Sequence, residues 1–201
     1  MEKFNEGHFD PEQTNSLIRS RRSVFTDQLL SGKPVPDDVI WQLLDNANWA
    51  PTHKRTEPWR FTVFSGAGRQ KLADFQASLY RETAVEKFKE DKYQKLLKTP
   101  LACSHVIAIG MKRNEQANIP EIEEIAAVAC AVQNIYLSTT AYGLGGYWST
   151  GGITYNDRAK PFFGLEKNDR LMGFFYIGYV QIPSVPGSRG AVKDKTVWVK
   201  D

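Results

Sequence analysis

The stretch Ala141-Tyr142-Gly143-Leu144-Gly145-Gly146-Tyr147-Trp148-Ser149 decides the fold. Upstream of it, Ile122 to Tyr142 carries little charge and many small residues (Ala126, Ala127, Ala129, Ala131), the pattern of a central helix that allows close packing. The glycines break that helix, and Tyr147-Trp148-Ser149 opens a strand. Such glycines would read as a dinucleotide-binding fingerprint if a strand preceded them and a helix followed. Here the order is helix, glycines, strand, and the fold class is mixed α+β.

Working outward, Leu171 to Val180 is the most strand-like run in the chain, and Val106-Ile107-Ala108-Ile109 is a short buried strand. Trp59 to Phe64 reads as another. A first helix runs from about Pro11 to Arg21, with Asp10 as N-cap and Pro11 at the first helical position. A second begins after Pro36, with Asp37 and Asp38 at its positive end and Val39, Ile40, Leu43, Leu44 and Ala47 on one face. The charge-rich amphipathic stretch from Gly66 to about Lys98 is expected to be a mobile outer helical cover and a candidate substrate lid. The tail from Pro183 carries Val197-Trp198-Val199, too apolar to be free; it either folds back or lies as an arm across a partner subunit. Neither a low-complexity linker nor a repeat divides the chain, so residues 1–201 are expected to form one domain.

Composition excludes several function classes. Lys and Arg total 26 against 23 acidic residues, too balanced for the basic stripe that nucleic-acid binding needs. Met1 to His8 has no apolar signal core, and the longest apolar run falls below the ~18 residues of a membrane span, so a soluble cytoplasmic protein is expected. His8, His53 and His105 show no ligand spacing, so no metal site is expected. Cys103 and Cys130 lie in apolar runs and read as two buried free thiols. Neither is set up as a nucleophile, and no GxSxG motif is present.

The loop Ala50-Pro51-Thr52-His53-Lys54-Arg55-Thr56-Glu57-Pro58-Trp59-Arg60-Phe61 gathers His53, Lys54, Arg55 and Arg60 against one acid, Glu57, between stiffening prolines. An isolated basic loop is more often a solvated turn, and Arg19, Arg21 and Arg22 could equally be a solvated helix face. Together with Ser23 and the late Arg189, however, these donors suit a phosphate-bearing, partly aromatic ligand. Three charge-assisted hydrogen bonds give about 5 to 9 kcal/mol, short of the roughly 8 to 12 that micromolar to nanomolar binding requires. An aromatic part of the ligand must therefore be held too, and Gly143 to Gly152 offers close backbone approach beside Trp148.

Arg21-Arg22-Ser23, the 50–61 loop, Gly143 to Trp148 and Gly173-Phe174-Phe175-Tyr176-Ile177-Gly178 occur in the order and spacing of the nitroreductase family. The chain resembles that family over nearly its whole length, most closely the small YdjA-like NAD(P)H nitroreductase type. The resemblance implies a three-layer α+β fold with a central, mostly antiparallel sheet. It implies an intertwined homodimer with FMN at the interface and NAD(P)H as electron donor. Carried over, Arg21, Arg22 and Ser23 would hold the FMN phosphate and ribityl chain from one subunit, with Arg189 near the late phosphate ligand. Pro51, Thr52, His53 and Arg55 would reach the flavin from the other. Trp148, Ser149, Thr150 and Gly151 would line the isoalloxazine ring, the Thr150 and Gly151 backbone lying near N5. Many relatives have a basic residue two positions after the serine, where this chain has Phe25, so the cation at the N1 and C2 edge of the ring is unassigned.

The mechanism implied is ping-pong hydride transfer from NAD(P)H through the flavin to a nitroaromatic, quinone or similar small acceptor. No catalytic side chain is required, because the cofactor carries the chemistry. Lys54, Arg55 or backbone amides would stabilise the charge that builds on the ring. The alternatives are a flavin-storage module without reductase activity and the family's other flavin reactions, which depend on lid residues.

Overall fold

The protein is described by a computed structural model covering residues 9–200; the reading of Met1 to His8 falls outside them. Four strands form one antiparallel sheet in the order β1-β2-β4-β3: β1 (Trp59–Phe64), β2 (His105–Met111), β3 (Leu144–Ser149) and β4 (Arg170–Tyr179). Against it lie α1 (Pro11–Ser20), α2 (Asp37–Asn48), α3 (Gly68–Thr83), α4 (Glu90–Lys98) and α5 (Glu121–Ala141). One face of the sheet packs on α2 and α5 through Leu43, Ile107, Ile109, Val128, Ile135 and Phe175. The other packs on α3 and the 153–165 segment through Leu72, Val106, Ala108, Phe163 and Phe174. Strand β2 is buried from end to end because it is central in the sheet and covered on both faces.

Helix α1 has Asp10 at its N-cap, accepting Glu12 N–H at 2.9 Å, and Pro11 in its first turn, as read from sequence. Two expectations are corrected. The 66–98 stretch is two helices rather than one outer cover, and α3 is a full layer, burying Leu72, Ala73, Gln76, Ala77, Leu79 and Tyr80. Apart from buried Gln76, its polarity belongs to the outward face. Of the two thiols only Cys103 is buried, where desolvation pushes it up to about 12 and leaves it inert; Cys130 is exposed on the outer face of α5. A small apolar residue on a helix of low charge has no preferred side until its neighbours are placed.

Strand β3 begins earlier than Tyr147 and includes both glycines. A Cβ at Gly145 would come 2.8 Å from Leu29 and 2.9 Å from Val24, and one at Gly146 would meet the Phe175 ring at 2.6 Å. The glycines let the segment after α1 lie directly on the strand, with Val24 N–H donating to Gly146 O at 2.9 Å.

Buried His105 closes a chain of hydrogen bonds. Val35 N–H donates to Ser104 Oγ at 2.6 Å, Ser104 lies 2.9 Å from His105 Nδ1, and His105 Nε2 lies 3.1 Å from Asp37 at the start of α2. Every group is satisfied with a neutral ring in which Nε2 carries the proton. Ser104 Oγ is engaged on both sides, so the trio pins α2 to β2 instead of forming a nucleophile. Burial lowers the His105 pKa from its ordinary 6.5, against the opposing pull of Asp37. The unfolded chain thus takes up the proton first, and stability falls as pH drops below about 6.5. Urea unfolding at pH 7.5 and pH 5.5 should show that loss, and His105→Gln should reduce it; an equal loss in the variant would exclude His105 as its source.

Candidate functional site

Two groups of the residues singled out above converge on Tyr136 of α5. Its hydroxyl lies 3.3 Å from Ser23 Oγ and accepts Trp148 N–H at 2.7 Å, while Arg21 Cζ sits 4.8 Å from its ring centroid. One buried tyrosine therefore ties the Arg21-Arg22-Ser23 segment to the end of β3. A tyrosine amid small and aliphatic residues was the one available sign of it, because a buried phenol hydroxyl needs partners. Arg22 turns back on its own segment, donating to Arg19 O at 2.6 Å and Arg21 O at 2.8 Å. The tail crosses it at Gly187, where any Cβ would overlap the guanidinium. The tail thus folds back as far as Arg22, bringing exposed Arg189 two residues from it, whereas Val197, Trp198 and Val199 remain exposed.

Trp148 itself points into the α5-side core and donates its indole N–H to Met172 O at 2.9 Å. That carbonyl is available because the β2–β4 register shifts there, Ile109 facing Gly173 and Gly110 facing Leu171. The chain leaves β3 at Ser149; the Gly151 N–H has only Ser149 Oγ, at 3.4 Å, among the described residues.

Beside this segment a cavity of about 680 Å³ lies between the β3 edge and the α3–α4 layer, within the size range of small-molecule sites. Phe25, Tyr147, Ser149, Gly151, Phe174 and Tyr176 line one side, and Gln76, Lys92, Lys95 and Leu96 the other. Burial pushes the Tyr176 phenol well above its ordinary value, so it stays a neutral hydroxyl. Gln76, Lys92, Lys95 and Tyr136 were not singled out from sequence. A polar side chain on an amphipathic helix looks the same facing a cavity as facing water.

The 50–61 loop is held elsewhere. His53 Nδ1 meets Glu123 in the first turn of α5, and Lys54 donates to Ala117 O at 2.7 Å. Arg60 bonds the carbonyls of Glu57 and Trp59 at 2.9 and 2.7 Å. The donors are thus largely paired, contrary to the expectation; of the four cationic or imidazole side chains, Arg55 alone has no partner among the described residues. Pro51 and Arg55 are exposed and Thr52 bonds Thr56 at 3.1 Å. Lys54, Arg55 and Glu57 adopt positive φ (51°, 52° and 44°), strain that non-glycine residues seldom carry. Pro58 and Trp59 are buried and anchor β1, Trp59 Nε1 donating to Asn48 at 2.9 Å. Glu123 and Tyr136 are 13 residues apart, roughly 20 Å along a helix, so one chain does not bring this corner to Arg21 and Trp148.

The sequence model of the nitroreductase family matches residues 18–179. The chain belongs to the nitroreductase family. Among curated relatives it is 29% identical to "Putative NAD(P)H nitroreductase YfhC" of Bacillus subtilis (strain 168), over 89% of this chain and 90% of that one. "Putative NAD(P)H nitroreductase YdjA" of Escherichia coli (strain K12) is also 29% identical, over 83% and 87%. The crystal structure of a nitroreductase-like family protein from Bacillus cereus superposes with a TM-score of 0.78 at 29% identity, covering 93% and 96%. The FMN-dependent nitroreductase NfnB from Mycobacterium smegmatis, solved with NADPH, shares the fold at a TM-score of 0.71 and 19% identity, over 95% and 100%. The three-layer nitroreductase-like fold with an antiparallel sheet is as expected. No described helix is long and apolar enough to cross a membrane, and no described His, Cys, Asp and Glu cluster could hold a metal.

Proposed function

We propose that this nitroreductase-family chain is a single FMN-binding domain that takes a hydride from NAD(P)H and passes electrons to a nitroaromatic, quinone or similar small acceptor in a ping-pong cycle. The observation that supports the reading is the Tyr136 node, whose hydroxyl links Ser23 to the Trp148 backbone, next in the chain to cavity-lining Ser149, with Arg21 over its ring. The donor set fits FMN. Arginine and serine suit its phosphate, the Gly151-Gly152 backbone permits close approach to a flat ring, and the buried Gln76 amide faces the Tyr176 phenol in the cavity wall. FMN supplies two-electron hydride chemistry when bound. The chain binds the phosphate, orients the ring and excludes water from one side of it.

Pro51, Thr52, His53 and Arg55 complete this site from a second copy, since within one chain they stand at the far end of α5. Exposed Trp41, Trp49 and Ile122 on the outer faces of α2 and α5, with the Val197-Trp198-Val199 arm, suit burial against that copy. The protein acts as a homodimer in the cytoplasm.

The purified protein should carry oxidised-flavin absorbance that bleaches within minutes on anaerobic addition of NADH or NADPH. Arg21→Ala should lose one charge-assisted phosphate contact and bind FMN at least about tenfold more weakly. A wild-type protein whose flavin stays yellow under NAD(P)H would sink the reductase reading and favour flavin storage. Unchanged FMN affinity in the variant would sink the phosphate site.

A further inference from the structure

We propose that the cavity where α2, α3 and the start of β2 meet binds a compact phosphate-type oxyanion through Arg69 and Lys33. The cavity holds about 300 Å³ and shares no lining residue with the one beside β3, so the inference stands apart from the FMN reading. Buried Cys103, Ser104 and His105 line it, with Asp37 at the start of α2. Arg69 stands in the first turn of α3, the positive end of that helix, where a cation is unfavourable. No acidic residue and no capping side chain offsets it in that turn. Among the described residues no carboxylate lies within 4.0 Å of its guanidinium. Instead Nε donates to Gly66 O and Nη1 to Leu101 O, both at 3.3 Å, and Nη1 also to Cys103 O. These carbonyls fix the direction of the guanidinium without cancelling its charge, and Nη2 has no acceptor among the described residues.

Lys33 lines the same cavity, its Nζ steadied 4.0 Å over the Tyr179 ring and likewise without a carboxylate among the described residues. The one acid of the lining, Asp37, is engaged by His105 Nε2 at 3.1 Å. Two cations therefore meet one carboxylate that already has a partner. A flat carboxylate ligand would match the guanidinium edge alone, whereas a tetrahedral dianion spreads its oxygens toward both cations and neutralises both. Because the guanidinium is held in place beforehand, little ordering is left to oppose binding. Burial lowers the His105 pKa, and the charge of Arg69 adds to that effect. An anion on Arg69 thus changes the field at His105, and the imidazole reports on the site.

The test titrates the purified protein, with FMN in excess, with inorganic phosphate and, separately, with sodium chloride at equal ionic strength. NMR follows the His105 ring resonances, assigned by their loss in His105→Gln. Wild type should show a saturable shift with a Kd on the order of 1 mM for phosphate, and none for chloride. Lys33→Gln should weaken phosphate about tenfold, and Arg69→Gln should abolish the shift. Lys33 bonds no backbone group among the described residues, so its variant tests the site even where Arg69→Gln loosens the first turn of α3. Arg21→Ala should leave the shift unchanged, which separates this site from the proposed flavin-phosphate site. Glycerol phosphate binding at least as tightly as inorganic phosphate supports a phosphate monoester as the ligand, and weaker binding of the ester supports free phosphate. No saturable shift by about 10 mM phosphate, tenfold above the expected Kd, overturns the proposal. So does wild-type affinity in Lys33→Gln, or loss of the shift in Arg21→Ala.

Discussion

Gly173→Ala is expected to lower the melting temperature by about 6–12 °C, corresponding to roughly 3 kcal/mol in a chain of this size, and to weaken FMN binding with it. Two causes add. Gly173 has φ of 115°, which L residues rarely adopt, and a Cβ there would run into the Ser149 carbonyl and lie 3.0 Å from the Trp148 indole nitrogen. Both neighbours are fixed: Ser149 is paired with Phe174, and Trp148 is tied to Met172 O and to Tyr136. Relief can come only by opening the register shift between β2 and β4, which moves the Ser149–Gly151 backbone where the proposed ring site begins. Gly143→Ala is the comparison, having φ of 68° but no heavy atom within 4 Å of the added carbon. It should cost about 1 kcal/mol, or roughly 2–4 °C, without touching FMN affinity. Equal effects in calorimetry would show that the close approach at Gly173 contributes nothing beyond its dihedral angle.

Arg113→Ala is expected to destabilise the fold by about 3–5 kcal/mol, the cost of leaving a buried charge without its partner. Glu124 is 1% exposed in the first turn of α5, paired with the Arg113 guanidinium. Arg113 also donates to Ile119 O at 2.7 Å, and its backbone N–H to Asp169 at 2.9 Å. Removing the guanidinium leaves Glu124 with the Asn114 N–H at 3.0 Å as its remaining close donor, helped by the positive end of the helix. Denaturant unfolding should also show that Arg113→Met with Glu124→Met recovers much of the loss, because an apolar pair of similar volume carries no desolvation cost. A double variant no more stable than Arg113→Ala would mean that the Ile119 bond, not the charge, was decisive.

Much of the secondary structure was legible because each element obeys a local rule. Asp10-Pro11 starts a helix, Pro58 cannot continue one, and Trp59 to Phe64 is a strand at the residues read for it. The limits of β3 were less legible: glycines in a strand are favoured only when something must approach the backbone closely, and Val24, Leu29 and Phe175 approach from distant parts of the chain. The 66–98 stretch was misread for a related reason, since its charge masks a buried inner face that the sheet alone makes necessary. Family motifs carried Arg21, Ser23 and Trp148 to attention. Tyr136, Gln76 and Lys95 belong to no motif, and only packing reveals what they face.

By itself the sequence determined the α+β class, the placement of most strands and of α1, α2 and α5 along the chain, and the family, because periodicity, capping and motif order are properties of neighbours in the chain. Tertiary structure alone decided which donors share a site. Ser23 and Trp148 meet through one hydroxyl of α5, while His53, equally conspicuous in sequence, is held about 20 Å along the same helix at Glu123. Proximity across the chain depends on how layers stack over the sheet, and no local pattern of residues encodes that distance.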